Sequence, residues 1–268
     1  MPRKAKKLTE ATESSAPAPV KWLRADYHFH VFHYRMPGTV AIAAVTPFVP
    51  SPLTVKMALV ASLLQSGDER SAQALVPHLP KIEVLIIPPS SAFSFKAFLR
   101  YRSVPAVESA GGLDETGSYY PSRPHTREYA LFSSKLTVLL GLPNTGIVET
   151  VKKALRSIRY IGCKDSLVTC LSVQEIPEDE VKKNCDSVVQ QLQKGVSGAV
   201  ILGADFDPSA NLSDLKELIP GSRKENHYRC PPPVSVLPGR IISAGKTKIF
   251  KLEVKDEDIS SSNWRSAY

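Results

Sequence analysis

The sequence predicts an α+β chain: a ferredoxin-like (RRM-like) domain with a long thumb-like β-hairpin insert and a smaller C-terminal α/β extension. Three observations carry this. From Lys21 to Glu175 the apolar patterning reads strand, loop, helix, strand, insert, strand, helix, strand, which is the split βαβ order. A long, charged, glycine-bearing stretch separates the apolar runs Ile82–Ile87 and Tyr129–Leu140, and such excursions inside a compact domain are uncommon unless functional or disordered. Beyond Pro177 the texture changes to shorter, mixed segments. The fold alone hosts many functions and settles none of them.

Met1–Pro19 is poor in apolar residues and begins with the basic cluster Arg3-Lys4-Ala5-Lys6-Lys7, which reads as a disordered basic tail over residues 1–20. Tyr27–Tyr34 alternates with period two and reads as the first strand. The prolines 47, 50 and 52 exclude regular structure and deliver the chain into a helix, with Ser51 as N-cap and Pro52 at the first helical position. Leu53, Met57, Val60, Ala61 and Leu64 fall at helical spacing, and Lys56 is placed on the polar side. Ser71–Leu79 reads as a short helical piece, Ile82–Ile87 as a strand, Tyr129–Leu140 as one long strand, Ile147–Ile158 as a helix and Leu167–Val173 as a strand. Residues 21–176 form the predicted domain, with the insert at about 96–127. Residues 177–256 form the C-terminal subdomain: Glu178–Lys194 is helical in spacing, Gly198–Leu202 strand-like, Pro231-Pro232-Pro233 a rigid joint, and Ile241-Ile242 with Ile249–Val254 a strand pair. Residues 257–268 are a polar tail.

A chain of 268 residues with 43% hydrophobic content can build one large core or two small ones. Lys+Arg 34 against Asp+Glu 26 gives a net charge of +8, which favours an anionic partner such as nucleic acid. Cys163, Cys170, Cys185 and Cys230 show neither a C-x-x-C pair nor zinc spacing, as expected of reduced thiols. With no apolar run of about 18 residues and no secretory h-region, the expectation is a cytoplasmic protein without a membrane role.

Phosphate-cradling and dinucleotide glycine loops, the nucleophile elbow and the zincin motif are all absent, so no cofactor is expected. His28, His30 and His33 invite a metal, but His33 has the opposite strand parity and only Asp26 stands nearby, so a polar strand face is the preferred reading and no metal is expected. The insert is richer. Arg100, Arg102, Arg123 and Arg127 supply phosphate contacts, and Tyr101, Tyr119 and Tyr120 supply platforms for unpaired bases. A metal-independent ribonuclease needs a base, an acid and a cation, which His125 with Arg123, Arg127 and Tyr129 could supply; binding alone is the preferred reading.

Four features, in order, resemble the fifth CRISPR-associated protein family, a RAMP-type subunit of class 1 (type I) Cascade complexes. They are the strand Tyr27–Tyr34 leading to Pro47-Phe48-Val49-Pro50-Ser51-Pro52; the segment Lys96–Arg102 opening a thumb; the return through Thr126-Arg127-Glu128-Tyr129; and the helix Val148–Arg156 followed by Tyr160-Ile161-Gly162-Cys163-Lys164. The likeness covers Lys21 to Glu175. It implies a subunit that binds the 5′ handle of the crRNA and caps the backbone RAMP subunit filament, beside the large subunit, with target DNA met indirectly. It also implies that Lys56, Arg100, Tyr101, Arg102, Tyr119, Tyr120, Arg123, His125 and Arg127 contact RNA. The branch that cleaves its own precursor is similar to a Tyr/Lys/His nuclease. Here the first helix holds no tyrosine and Pro124-His125 stands where a Lys-His pair is found, so the expectation is a non-catalytic subunit. A guide-processing endoribonuclease and an unrelated ferredoxin-like RNA-binding protein remain as alternatives.

Overall fold

The computed structural model describes residues 21–34, 43–44, 46–102, 122–191, 198–218, 234–244 and 247–252. The basic tail, the polar tail and the proline joint at 231–233 lie outside these.

The chain opens with β1 (Lys21–Phe29), whose alternation places Leu23, Ala25, Tyr27 and Phe29 in the core. β2 (Ala43–Ala44) is short, and α1 (Pro52–Gln65) begins where Ser51 and Pro52 predict, the Ser51 hydroxyl accepting from the Thr54 N–H at 3.4 Å. Asp68 caps α2 (Glu69–Leu75), which runs into a 3-10 turn at Val76–Lys81. Then come β3 (Glu83–Ile87), β4 (Ser91–Arg102), β5 (Ser122–Phe132), β6 (Leu136–Leu142), α3 (Val148–Ser157) and β7 (Val168–Ile176). The C-terminal part supplies α4 (Glu178–Lys183), β8 (Gln190–Gln191), β9 (Ala199–Leu202), β10 (Val234–Leu237), β11 (Arg240–Ala244) and β12 (Thr247–Lys251).

These strands make three sheets. The first has the order β3-β6-β1-β7 with antiparallel neighbours throughout. β6 is buried at every position because it sits inside this sheet with apolar material on both faces. One face carries α1 and α3, which bury Val55, Leu59, Leu63, Val151 and Leu155 completely. The second sheet has the order β11-β12-β4-β5-β2, and the third β8-β10-β9. Residues beyond Pro177 enter the same core as α1: Phe206, Leu212 and Phe250 are at most 1% exposed.

Three expectations change. The first strand begins at Lys21 rather than Tyr27, because pairing with β6 runs from Lys21 opposite Leu142 to Tyr27 opposite Leu136. Its early alternation is masked by Trp22, which is buried on the opposite face with Leu139, Ile176, Val181 and Val188. The predicted single strand Tyr129–Leu140 is two strands in two sheets. Between them the chain bends at Ser133 and Ser134, whose hydroxyls accept from the Ser91 N–H at 3.1 Å and the Ser90 N–H at 2.9 Å. Finally, the helical spacing over Glu178–Lys194 ends at Lys183, and Val189 N–H donates instead to the Ile86 carbonyl at 2.8 Å on the edge of β3.

On the face of the first sheet away from α1, Asp26 is 4% exposed and accepts from Lys135 at 2.7 Å, Thr137 at 2.6 Å, Ser172 at 3.2 Å and Arg24 at 3.3 Å. Burial pushes its pKa up, but the bonds from Lys135, Thr137 and Arg24 outweigh this and hold the carboxyl below its ordinary value. Because folding lowers this pKa, the stabilisation is present above the unfolded value near 4 and is lost as pH falls through the folded one. Asp26→Asn is therefore expected to lower stability at pH 7 and to flatten its decline below about pH 4, measured by urea unfolding across a pH series.

Candidate nucleic-acid interface

The expected insert residues lie on an antiparallel pair. β4 and β5 run in register from Ala92 opposite Phe132 out to Arg102 opposite Ser122. Alternation in this pair sets one face toward the body, where Ala92, Ser94, Glu128 and Ala130 are at most 2% exposed. β12 accompanies β4 from Ser91 only to Ser94, and β2 pairs with β5 at Thr126 and Arg127. Past those rungs, among the described residues, the two strands continue with no third strand beside them. The far rungs set Leu99 opposite His125, Arg100 opposite Pro124 and Tyr101 opposite Arg123. The backbone thus brings Arg100, Tyr101, Arg102, Arg123 and His125 to one end of one ribbon. The side chains of these five, and Tyr119 and Tyr120 altogether, lie outside the described residues.

The root of the ribbon is held by Glu128. Its side-chain carboxylate accepts from the Thr46 N–H at 2.9 Å, the Ser94 hydroxyl at 2.8 Å and the Lys248 ammonium at 3.2 Å. Its carbonyl oxygen is 2.8 Å from His33 Nδ1 and accepts from the Thr46 hydroxyl. One buried residue thereby joins β5 to β4, to β12 and to the chain at 33 and 46.

Arg127, the preceding residue, is part-exposed and ion-paired with Asp165, which the Tyr129 hydroxyl also approaches at 3.4 Å. Asp165 belongs to the turn Tyr160–Ser166. Ser166 ties that turn to His33, donating to its carbonyl at 2.6 Å and accepting from its N–H at 2.8 Å. Gly162 has φ +92°, and an added Cβ would stand 3.2 Å from the Tyr34 ring, so both its backbone and its space call for glycine. Lys164 in the same turn and Lys96 on β4 are exposed.

Lys56 departs from expectation. It is 1% exposed and its ammonium lies 2.7 Å from the Asp205 carboxylate, with the Phe206 ring 5.9 Å away. The cause is the C-terminal segment, which lies across the start of α1 and accepts the Leu53 N–H on the Ala204 carbonyl at 2.9 Å. An enclosed, paired ammonium cannot reach a phosphate in this arrangement, so Lys56 is corrected from an RNA contact to a core ion pair. The histidines also separate. His33 is buried against Glu128, while His28 and His30 meet edge to face at 5.0 Å and His30 Nε2 lies 3.0 Å from the Thr169 hydroxyl. Among the described residues no three potential metal ligands of the His, Cys, Asp and Glu types cluster, and no helix is long and apolar enough to cross a membrane.

No family model matches the chain. One curated protein, CRISPR-associated protein Cas5 of Archaeoglobus fulgidus, is 22% identical over 173 residues, spanning 62% of this chain and 72% of that protein. The chain is similar to this protein over that span. Two solved structures also align with it. A CRISPR protein from Archaeoglobus fulgidus gives a TM-score of 0.43 at 12% identity, covering 87% of this chain and 92% of that one. A chain of a CRISPR RNA-guided surveillance complex gives 0.41 at 14% identity, covering 81% and 87%.

Asp165 and Glu128 are the residues that the sequence pattern alone does not single out. Glu128 looks like one more charge in Arg127-Glu128-Tyr129, and only its bonds to Thr46, Ser94 and Lys248 show that it is enclosed. Glu128→Ala is expected to lower stability by about 2–4 kcal/mol, since it leaves buried donors and the Lys248 charge without their acceptor; denaturant unfolding checks this. Lys56→Met is expected to lower stability by about 1–3 kcal/mol by leaving the Asp205 carboxylate with the Phe206 N–H but without its cation, while leaving the RNA affinity of the folded protein unchanged in a filter-binding titration.

Proposed function

We propose that the chain is a non-catalytic subunit of a class 1 (type I) CRISPR effector, binding the 5′ handle of the crRNA and capping the filament of backbone subunits. The observation that carries this is the β4–β5 ribbon, with Arg100, Arg102 and Arg123 gathered at its far end, in a chain similar to Cas5. In this reading the βαββαβ unit with strand order β3-β6-β1-β7 is the ferredoxin-like domain and the ribbon is its thumb. Guanidinium groups there neutralise handle phosphates, and the tyrosines take unstacked bases. The large subunit and the target DNA are met through the assembled complex, in the cytoplasm.

No chemistry on the handle is assigned to the chain. His125 lies opposite Leu99 and next to Pro124, and it positions RNA rather than exchanging a proton with it.

The test is purification of the tagged chain with its bound partners, followed by sequencing of the RNA. Short RNAs sharing one repeat-derived 5′ end are expected. Arg100→Ala/Arg102→Ala/Arg123→Ala is expected to remove them and, in direct titrations, to reduce the slope of log affinity against log salt by about 2, at about 0.7 per lost phosphate contact. His125→Ala is expected to leave the RNA ends unchanged; altered or missing ends would instead favour the endoribonuclease reading. Heterogeneous RNA, or none, would overturn the handle-binding assignment.

A further inference from the structure

The second sheet has an outward face that is apolar where a half-buried antiparallel sheet is ordinarily polar. Its inner face is conventional: Phe250, Ala92, Ser94 and Ala130 are at most 2% exposed. Reading the pairings across the outer face, Ile242 stands opposite Ile249, Ile249 opposite Phe93, and Phe93 opposite Leu131. Four strands thus contribute one continuous apolar row. Phe93 is 47% exposed and Ile242 42%, and all four side chains lie outside the core cluster. The next rung adds Phe95 opposite Tyr129, stacked at 5.9 Å. On the other side of the row, the rung Arg240–Lys251–Ser91 places two exposed cations at its border. A contiguous exposed patch of this kind marks an interaction site rather than an ordinary scatter of surface apolar groups.

We infer that this face docks a different protein, one presenting an apolar centre bordered by carboxylates toward Lys251 and Arg240. The composition argues against nucleic acid. Ile242, Ile249 and Leu131 offer no π-face for a base, Phe95 already stacks on Tyr129, and Phe93 is a single aromatic set among aliphatic neighbours. Charge argues against a second copy, since two chains of net charge +8 repel one another. A carboxylate-bordered apolar surface satisfies both halves of the patch, since cations at the rim steer and register an apolar centre that supplies the affinity. The surface is on the body of the sheet, away from the arginine-bearing end of the ribbon, so this inference goes beyond the RNA role and stands on the sheet residues alone.

The test is photocrosslinking with p-benzoylphenylalanine at position 93, in the full chain expressed with its native partners, and mapping of the joined peptides. The same substitution at Thr169, an exposed residue of β7 in the other sheet, serves as control. The expected product joins position 93 to an apolar segment of another protein with Asp or Glu within a few residues. Phe93→Ser/Ile242→Ser is then expected to lower recovery of that protein by about tenfold with an unchanged melting curve of the chain itself. Lys251→Glu is expected to lower it in the same direction. A product containing RNA, a second copy of the chain, or residues 253–268 of the same chain overturns the inference, as does no product above the Thr169 control. The RNA recovered from the same preparation reports on handle binding separately, so either assignment can fail without the other.

Discussion

A carboxylate taken out of water must be met by hydrogen-bond donors and positive charge, or its burial costs the fold several kcal/mol. Glu128 is where this protein meets that requirement, and the arrangement of the second sheet depends on it. Its side chain draws Thr46, Ser94 and Lys248 to one point, and these belong to segments far apart in sequence. β5 is thereby fixed between β4 and the incoming loop, and β12 is fixed on the other side of β4. With that rung held, alternation settles the rest: Ser94 and Glu128 face inward, and Phe95, Tyr129 and Arg127 face outward.

Two different surfaces follow from one pair of strands. Near the body β4 and β5 are the middle of a five-stranded sheet, and their outer face is apolar. Farther out, among the described residues, they continue without a third strand as a two-stranded ribbon bearing arginines on both strands. An isolated ribbon is marginally stable in water on its own. It persists here because its base is anchored through Glu128, and through the Arg127–Asp165 pair to the turn after α3. That turn is itself held by Ser166 on His33 and by the space that Gly162 leaves for Tyr34.

The order of strands and helices was largely legible because hydrophobic period reports burial directly: Ser51-Pro52 marked the start of α1, and Val148, Val151 and Leu155 marked the buried stripe of α3. The strand break at Ser133-Ser134 was not. Period and propensity on either side are both strand-like, and the bend comes from side-chain hydroxyls bonding to Ser90 and Ser91, more than forty positions away. Lys56 was misplaced for a related reason. Its helix position looks polar from the local pattern, and only the segment carrying Asp205 and Phe206, folded back from the C-terminal region, encloses it.

What the sequence determined by itself was the content of each element, the basic character of the insert and the order of features that resembles the fifth CRISPR-associated family, because these depend on residue type and near spacing alone. The tertiary structure decided which strand lies beside which, which charges are buried and which face of the second sheet is left uncovered. Those are properties of contacts between distant segments. The residues concerned, Glu128, Lys56 and Phe93, carry no local mark that separates an ion-pair anchor or an exposed aromatic from an ordinary surface charge or core residue.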